Sequence, residues 1–358
     1  MTSEWARGWI RALPPYGAPP EPGEPGLAPL HLNESPHPPS PRAIAAAQAA
    51  CEGVNRYPDV LGRRLAAALA ERTGVPASRI VFGAGSDELI HLLCQAALEP
   101  GLSCVMPVPS FPRYLSGTRL QGATPIAVPL RADGANDVEA LAAATRADTR
   151  LVFACTPNPP SGGALTADEL AQLGRAVPAD ALLAIDEAYV EFAEAGADAR
   201  AALAGRAGPW VVLRTFSKAH GLAGLRIGYA LCGDDDTAEM LKRIRLQFAV
   251  SAPAFAAAEA SLADAAHLAR NVAAVTAERG RLAEGLGALG LRVWPSAANF
   301  VSATLPCPAA PVIAALRARG ILVRDWRDPA FPREMRITVG LPQETDAVLA
   351  ALRAVLAA

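Results

Sequence analysis

RTFSKAHGLAGLRIGY, residues 214–229, closes an apolar run and places a lysine two residues after its end. The chain contains only two lysines, Lys218 and Lys242, so arginine supplies nearly all of its positive side-chain charge. A lysine amine can lose its proton and form a Schiff base, whereas a guanidinium cannot. Because Lys218 follows a predicted strand that ends at Phe216, it is a candidate imine-forming residue. The alternative is an ordinary surface lysine.

On both sides of this segment, short apolar runs alternate with alanine-rich helical stretches. The runs are RIVF (79–82), SCVMPV (103–108), TPIAVPL (124–130), RLVFAC (150–155), LLAID (182–186), WVVLRTF (210–216) and RIGYALC (226–232). Near-continuous apolar strands that alternate with helices indicate a sheet buried on both faces and mostly parallel. We therefore predict an α/β fold in which helices sandwich a mostly parallel seven-stranded sheet.

The two ends of the chain differ from this pattern. Residues 1–40 are rich in proline, which excludes a regular helix or a central strand and favours an extended arm or a disordered tail. After about residue 255, a long helical stretch leads to several short apolar runs and a final helix, the pattern of a smaller α+β domain. The predicted organisation is an extended arm (1–40), a large domain (41–255) and a small C-terminal domain (256–358).

Composition narrows the classes of function. A formal net charge of −2 gives no reason to expect a nucleic-acid partner. The six cysteines are scattered without a CxxC or a His/Cys cluster, which favours reduced thiols in a cytosol over a disulfide frame or a metal site. No apolar run is long enough to span a bilayer, and the N-terminus lacks a signal-peptide core. A cytoplasmic protein without a membrane partner is expected.

Two further loops carry chemistry at predicted strand ends, where ligands bind in open α/β sheets. In FGAGSDELIHLL (82–93), Gly83 and Gly85 precede a predicted helix that Ser86 opens, a pattern that suits an anion site or an ordinary capped turn. In LLAIDEAYVEF (182–192), a buried strand ends in Asp186, which would pair with a buried cation or cap a helix. An anion cradle, a carboxylate and an imine-forming lysine together are what pyridoxal phosphate requires.

At this point the chain resembles the fold-type-I pyridoxal-phosphate aminotransferases, and within them the histidinol-phosphate aminotransferase group. The resemblance runs over nearly the whole length, and its most specific parts are the lysine segment and DEAYVEF. The motifs that carry it are PPYG (14–17), LNESP (32–36), NRYPD (55–59), GAGSDE (83–88), PSFPRY (109–114), TPNPPSG (156–162), DEAYVEF (186–192), SKAHGLAGLRIGY (217–229) and MRITVG (335–340).

The resemblance implies roles for individual residues. Lys218 would hold the cofactor and move the substrate's α-proton, Asp186 would pair with the pyridine nitrogen, and Tyr189 would bond the phenolic oxygen. Phe111 would stack on the cofactor ring. The residues implied around the cofactor phosphate are Gly85, Ser86, Asp87, Thr215, Ser217 and Arg226. Tyr57 would reach the phosphate of a neighbouring subunit, which implies a homodimer.

For the substrate, the resemblance implies that Arg336 binds the acidic group with help from Arg324 and Tyr16. The chain departs from the family in two places. Where the family has PNNPTG, this chain has PNPPSG, so Pro159 replaces the cofactor asparagine and Asn158 lies one position earlier. Either the loop shifts so that Asn158 binds the cofactor instead, or Tyr189 makes the contact with the phenolic oxygen alone. RLQFAVSAP (245–253) stands where the family often has a tyrosine–asparagine pair, so the side-chain pocket would be unusual.

The expected reaction is transamination between histidinol phosphate and 2-oxoglutarate. An aromatic amino acid as the donor, and another pyridoxal-phosphate reaction such as decarboxylation of a phosphorylated amino acid, remain open alternatives. An effector-binding half of a transcription regulator is the non-enzyme alternative. Such a regulator would need a basic DNA-binding module, for which about forty proline-rich residues are too few.

Overall fold

The computed structural model describes residues 4–13, 28–193 and 197–357. The helices in this part of the chain are α1 (Gly8–Arg11), α2 (Pro41–Cys51), α3 (Arg63–Thr73), α4 (Ser86–Ala97), α5 (Pro112–Leu120), α6 (Val138–Ala143), α7 (Ala167–Ala176), α8 (Ala199–Leu203), α9 (Asp235–Ile244), α10 (Ala252–Ala263), α11 (Ala265–Ala288), α12 (Ala309–Arg317) and α13 (Pro342–Leu356). The strands are β1 (Ala28–Pro29), β2 (Ile80–Gly83), β3 (Ser103–Val108), β4 (Thr124–Pro129), β5 (Thr149–Cys155), β6 (Leu182–Asp186), β7 (Trp210–Thr215), β8 (Gly228–Cys232), β9 (Arg292–Val293), β10 (Phe300–Thr304), β11 (Ile321–Leu322), β12 (Arg324–Asp325) and β13 (Glu334–Thr338).

The central sheet has seven strands in the order β2-β8-β7-β6-β5-β3-β4. Strands β3 to β7 pair in parallel, whereas β8 runs antiparallel to both of its neighbours. All seven predicted apolar runs form its strands, so the prediction of a mostly parallel seven-stranded sheet is confirmed. Because β8 returns beside β7, the loop of residues 216–227 lies at the carboxyl edge of the parallel strands.

Helices cover both faces of this sheet. Along β5, Val152 belongs to the core shared with α2, α3, α6, α7, α8 and α10, whereas Leu151 and Phe153 belong to the core shared with α4, α5 and α9. This alternation follows from the two-residue period of a strand. Apolar side chains on both faces explain why the strands read as continuous apolar runs.

A second, antiparallel sheet has the order β12-β13-β10-β9 and packs with α11, α12 and α13 around its own apolar core. β1 pairs in parallel with β11, which joins the N-terminal part of the chain to this second unit. An α+β unit in this region agrees with the predicted pattern. The domain limits 41–255 and 256–358 stay predictions.

The proline-rich start of the chain is only partly extended. One turn of helix, α1, precedes the first proline of the tract, and Trp9 Nε1 within it donates a hydrogen bond to the Leu120 carbonyl at 3.1 Å. The expectation of no helix within 1–40 is therefore wrong at this turn. From Ala28 onward the chain is packed rather than free, since Leu30 and Asn33 are buried. In the described ranges, none of the helices has the length and apolar character needed to cross a membrane.

Candidate active site

Lys218 lies in the β7–β8 loop at the carboxyl edge of the parallel strands. Its Nζ donates hydrogen bonds to the carbonyl oxygens of Leu32 (3.2 Å) and Asn33 (2.8 Å), and it lies 5.7 Å from the ring centroid of Tyr189. Burial, followed by the positive charge of Arg336, lowers the pKa of Lys218 to about 8. Such an amine is neutral, and therefore nucleophilic, in a larger fraction of molecules near neutral pH than an ordinary lysine.

Asp186 ends β6 in a fully desolvated position, with only 3% of its surface exposed. One carboxylate oxygen accepts a hydrogen bond from the Tyr114 hydroxyl (2.7 Å), and the other accepts one from the Ala188 amide (3.1 Å). Burial raises the pKa of Asp186 to about 6 despite these two bonds. A buried carboxylate of this kind favours a cationic partner, and a protonated ring nitrogen would be one.

Glu187, the next residue, has a different and structural role. It is buried, its carboxylate forms a salt bridge with Arg214 at 2.7 Å, and it accepts a hydrogen bond from the Ala199 amide at the start of α8. Strand alternation sends the two carboxylates to opposite sides. The sequence left open that a carboxylate of this motif caps a helix. Glu187 is the residue that contacts a helix start, whereas Asp186 faces Tyr114.

Tyr189 is buried between the two units. Its hydroxyl oxygen accepts a hydrogen bond from Asn33 Nδ2 (3.0 Å), and its ring meets Phe300 edge-on with centroids 5.4 Å apart. Burial raises the pKa of Tyr189 to about 12, so the phenol keeps its proton and can donate it in a hydrogen bond. Asn33 comes from the LNESP motif, and the contact explains why that motif belongs to the site.

The predicted anion cradle is assembled from three separate segments. Gly85 precedes α4 with φ +80°, and a Cβ added there would lie 2.4 Å from Arg226 Nη2. A Cβ on Gly228 would lie 2.5 Å from the Ser86 amide nitrogen. Arg226 Nη1 contacts Ser217 Oγ at 3.4 Å. Glycine is thus needed at both positions for the amides at the start of α4, the Arg226 guanidinium and the Ser217 hydroxyl to lie close together, as an anion site requires.

Two members of the predicted phosphate set act through neighbours. The Thr215 hydroxyl donates to Ser217 Oγ (3.0 Å) and accepts from the Ser217 amide (3.1 Å), so it orients Ser217. The Asp87 carboxylate forms two hydrogen bonds with Arg113, at 2.7 and 2.9 Å. Its side chain is therefore engaged, and an anion would meet Asp87 at the backbone, where amides of the first helical turn lack intrahelical acceptors.

Asn158, which could replace the family's asparagine, is hydrogen-bonded within its own loop. Its Nδ2 donates to the Pro109 carbonyl (3.1 Å) and to Ser161 Oγ (3.0 Å), and its Oδ1 accepts from the Ser110 hydroxyl (2.6 Å). Both amide hydrogens are thus used within the loop packing. A contact from Asn158 to the cofactor would require one of these hydrogen bonds to be given up, and that contact stays a prediction.

Phe111 and Tyr57 have different surroundings, in line with the different roles that the resemblance implies for them. Phe111 precedes α5, and its half-buried ring meets Tyr114 edge-on with centroids 6.0 Å apart, beside the residue that bonds Asp186. Tyr57 lies between α2 and α3, is 80% exposed, and stacks on Phe248 with centroids 4.3 Å apart. Its position on the outside of the chain suits a side chain that another subunit would use.

The two implied substrate arginines are directly opposite each other on neighbouring strands. Arg324 of β12 pairs with Arg336 of β13, whose Nη2 donates to the His31 carbonyl at 2.6 Å. Arg336 also lies over the Phe300 ring, 5.6 Å from its centroid. Burial lowers the pKa of Arg336 to about 10, a sign of a strongly desolvated cation. Tyr16, the third implied contact, lies outside the described residues.

Sequence reasoning misses several side chains that hold this cluster. It assigns no role to Tyr114, Asn33 or His31, although the first two lie in motifs that carry the family resemblance. Tyr114 bonds Asp186 across 72 residues of sequence, and Asn33 bonds Tyr189 across 156. The motifs themselves are the available signal, but the partner of each side chain is not visible in them.

Comparison with known proteins agrees with this geometry. Residues 26–352 match the family model Aminotransferase class I and II. An aromatic amino acid aminotransferase of Rhodococcus jostii is 43% identical over 326 residues, covering 91% of this chain and 89% of that protein. Histidinol-phosphate aminotransferase 1 of Thiobacillus denitrificans is 41% identical over 363 residues, covering 98% and 93%. A crystal structure of histidinol-phosphate aminotransferase from Sinorhizobium meliloti in complex with pyridoxal-5'-phosphate superposes with a TM-score of 0.90 at 30% identity, covering 98% and 97%.

Proposed function

The chain belongs to the class I and II aminotransferases, and from that premise we propose that it transfers the amino group of histidinol phosphate to 2-oxoglutarate. It is a pyridoxal-phosphate enzyme that acts on small amino and keto acids. The step from this class to histidinol phosphate, and so to histidine biosynthesis, is the proposal. The observation that carries it is the facing pair Arg324 and Arg336.

The residues of the site fit the cofactor. When bound, pyridoxal phosphate supplies an electron sink for the bond that breaks at the amino carbon. We assign Lys218 to its attachment and to moving the α-proton, since this amine is partly buried with a lowered pKa. Asp186 would keep the ring nitrogen protonated. The glycine-lined cradle beside Arg226 and Ser217 would hold the phosphate, and Phe111 would cover the ring.

The substrate proposal rests on charge. Arg324 and Arg336 offer two guanidinium forks to one small volume beside Tyr189, which lies next to Lys218. A single arginine matches a carboxylate bidentately, whereas a dianionic phosphate can use both forks. Histidinol phosphate carries a phosphate where an ordinary amino acid carries its carboxylate. Glutamate, the product of the second half-reaction, would use the same pair through a carboxylate.

A second candidate is transamination of an aromatic amino acid. It is favoured by the Rhodococcus jostii relative, whose identity of 43% is slightly higher than that of the histidinol-phosphate aminotransferase from Thiobacillus denitrificans. In that case the second arginine would serve only the dicarboxylate partner. The two candidates share the cofactor site and differ at the substrate's acidic end.

We also propose a homodimer. Several large apolar side chains near Tyr57 are strongly exposed: Val54 (59%), Tyr57 (80%) and Leu246 (71%). Exposed apolar side chains that cluster in this way mark interaction surfaces. A phosphate contact from Tyr57 to the neighbouring subunit would make cofactor retention depend on assembly. The domain limits 41–255 and 256–358 and the cytoplasmic location, both expected from the sequence, are likewise proposals.

The test is competitive kinetics with purified holoenzyme. The ratio kcat/KM is measured for histidinol phosphate, phenylalanine, tyrosine and histidine, in the wild type, Arg324→Ala and the exposed control Arg319→Ala. Histidinol phosphate should lead by at least about tenfold, and Arg324→Ala should lower its kcat/KM by a factor of about 30 or more, with little change for phenylalanine. A preference for a carboxylated donor, or an equal loss for both classes, would leave the aromatic candidate.

A further inference from the structure

His31 is a buried histidine whose ring has no hydrogen-bond partner within the described ranges. Its side chain is 3% exposed, and both Nδ1 and Nε2 are orphaned. Arg336 Nε, in the side chain that bonds the His31 carbonyl, is orphaned as well. Buried polar atoms are almost always paired in folded proteins. Three unpaired nitrogen atoms in one place therefore indicate a group that hydrogen-bonds there when the enzyme works.

A hydrogen bond and two nearby charges put His31 beside the substrate arginines. β1 pairs in parallel with β11 through Ala28–Ile321 and Pro29–Leu322, and His31 lies in the turn that follows β1. Arg336 Nη2 donates a hydrogen bond to the His31 carbonyl, and the charges of Arg324 and Arg336 both act on the His31 ring. Arg324 is in turn directly opposite Arg336. The three residues thus form one cluster.

The two arginines of this cluster face away from the core of the second unit. Val323, which precedes Arg324, belongs to that core, and so do Met335 and Ile337, which flank Arg336. Because successive side chains of a strand alternate, Arg324 and Arg336 face the opposite side.

That opposite side is the side of the reactive lysine. Leu32 and Asn33, the two residues after His31, supply the carbonyl oxygens that accept hydrogen bonds from Lys218 Nζ. Arg336 lies over Phe300, which packs edge-on against Tyr189. The histidine therefore lies directly before the two residues that contact Lys218, and beside the arginines taken as the subsite for the substrate's acidic group.

We propose that His31 is a substrate-binding residue, the third side chain of an anion subsite with Arg324 and Arg336, and that it selects a phosphate monoester over a carboxylate. The inference rests on the proposed function, because it takes these arginines as the subsite for the substrate's acidic group. A phosphate has three terminal oxygens and accepts donors from several directions. A carboxylate has two oxygens in one plane, which two arginines already satisfy.

Charge supports the same selection. Burial, together with the positive charges of Arg324, Arg336 and Arg317, lowers the pKa of His31, so the ring is neutral before the substrate binds. These arginines, from β12, β13 and α12, are the charged groups that act on His31 in the described chain. A bound dianion would offset them, so the ring should take up a proton on binding phosphate. A carboxylate, with one charge, would offset them less.

A purely structural role, in which the buried histidine only fills space, is the alternative. In that case, replacing His31 would lower the stability of the protein, or would lower kcat/KM by the same factor for every donor. The subsite predicts a loss confined to phosphorylated donors. The substitution His31→Asn keeps a polar side chain with an N–H donor but removes the group that can become a cation.

The experiment uses holoenzyme, in which the cofactor phosphate already fills the glycine-lined cradle. The chain has five histidines, so the Cε1–H signals in NMR spectra are few, and loss of one signal in His31→Asn assigns it. Addition of inorganic phosphate at about neutral pH should move the His31 signal towards the imidazolium position, whereas acetate should leave it in place. In kinetics, His31→Asn should lower kcat/KM for histidinol phosphate by about tenfold and for phenylalanine by less than about twofold. His91→Asn, on α4, is the matched control and should change neither ratio.

The outcomes separate this inference from the proposed function. Equal losses for both donors, or a His31 signal that ignores phosphate, overturn the role of His31 whichever donor the enzyme prefers. If the signal responds to phosphate but histidinol phosphate is not a substrate, the anion subsite stands and the proposed donor is wrong. If His31→Asn is too unstable to assay, the phosphate titration of the wild-type His31 signal alone decides, with assignment from His31→Gln.

Discussion

Replacing Asp186 with asparagine should make the cofactor-free protein more stable and the working enzyme much slower. Asp186 is buried, and desolvation raises its pKa from an ordinary 3.8 to about 6. A folded-state pKa above the unfolded one means that ionisation costs stability as the pH rises through this window. Above it the cost is of the order of 3 kcal/mol. Asparagine removes the charge, and its amide can still bond the Tyr114 hydroxyl and the Ala188 amide.

The cofactor reverses the sign of this effect. With a protonated ring nitrogen as partner, the Asp186 carboxylate becomes one half of a buried ion pair, and removing it leaves the other charge unpaired. Pyridoxal phosphate should therefore stabilise the wild type more than Asp186→Asn. Transamination should fall by at least about a hundredfold, as for other lost electrostatic stabilisers.

The assay is urea denaturation of cofactor-free and holo forms at about pH 4 and about pH 8, beside single-turnover kinetics. The cofactor-free variant should gain stability over the wild type at the higher pH only. Asp180→Asn is the control, because its exposed ion pair with Arg150 contributes little. The assigned role would be refuted if cofactor-free Asp186→Asn is no more stable than the cofactor-free wild type at about pH 8. It would also be refuted if pyridoxal phosphate stabilises the variant and the wild type equally.

Three other predictions test the lysine, the cradle and the subunit contact. Borohydride reduction of the holoenzyme should fix the pyridoxyl group on Lys218, and peptide mapping that finds it on Lys242 of α9 would end the assignment. The substitution Gly85→Ala should weaken cofactor binding by about tenfold or more, since the added methyl would meet Arg226 and the φ of +80° disfavours alanine. Fluorescence titration with pyridoxal phosphate measures the affinity, and an unchanged affinity would contradict the proposed phosphate cradle. Tyr57→Ala should lower cofactor affinity while sedimentation still reports a dimer; a wild-type monomer that retains cofactor and activity would count against the intersubunit contact.

The sequence is sufficient to predict the central sheet because its inner strands are buried on both faces. Val152, Leu151 and Phe153 enter two different cores, so no polar residue interrupts the run that marks β5. The antiparallel direction of β8 is not visible in the same way. Strand direction depends on how the β7–β8 loop turns back, and an apolar run reads the same in either direction.

The site can be predicted only as far as single residues indicate their chemistry. Lys218 and Asp186 do so, because an ionisable amine or carboxylate at the end of a buried strand is costly unless a partner or a reaction uses it. The residues that contact the site's side chains do not indicate their role in this way. Tyr114, Asn33 and His31 are ordinary residue types until the fold brings them next to Asp186, Tyr189 and Arg336. Contacts that join residues 72 or 156 positions apart leave no local pattern in a sequence.

Pro159 is one of the two places where the family pattern and this chain disagree, and the loop around it is held by hydrogen bonds on both sides of the substituted position. Asn158 uses both amide hydrogens on Pro109 and Ser161, and Ser302 Oγ donates to the Pro160 carbonyl at 2.6 Å, so the loop is fastened on both sides of the substituted position. A proline at 159 has no N–H to give, and we propose that Tyr189 is then the donor near the cofactor's phenolic oxygen. The Tyr189 hydroxyl is free to donate because Asn33 fills its acceptor side. On this proposal the substitution would move the control of cofactor electronics from two residues to one. That residue, Tyr189, is held in place by the same LNESP segment whose carbonyl oxygens accept hydrogen bonds from Lys218.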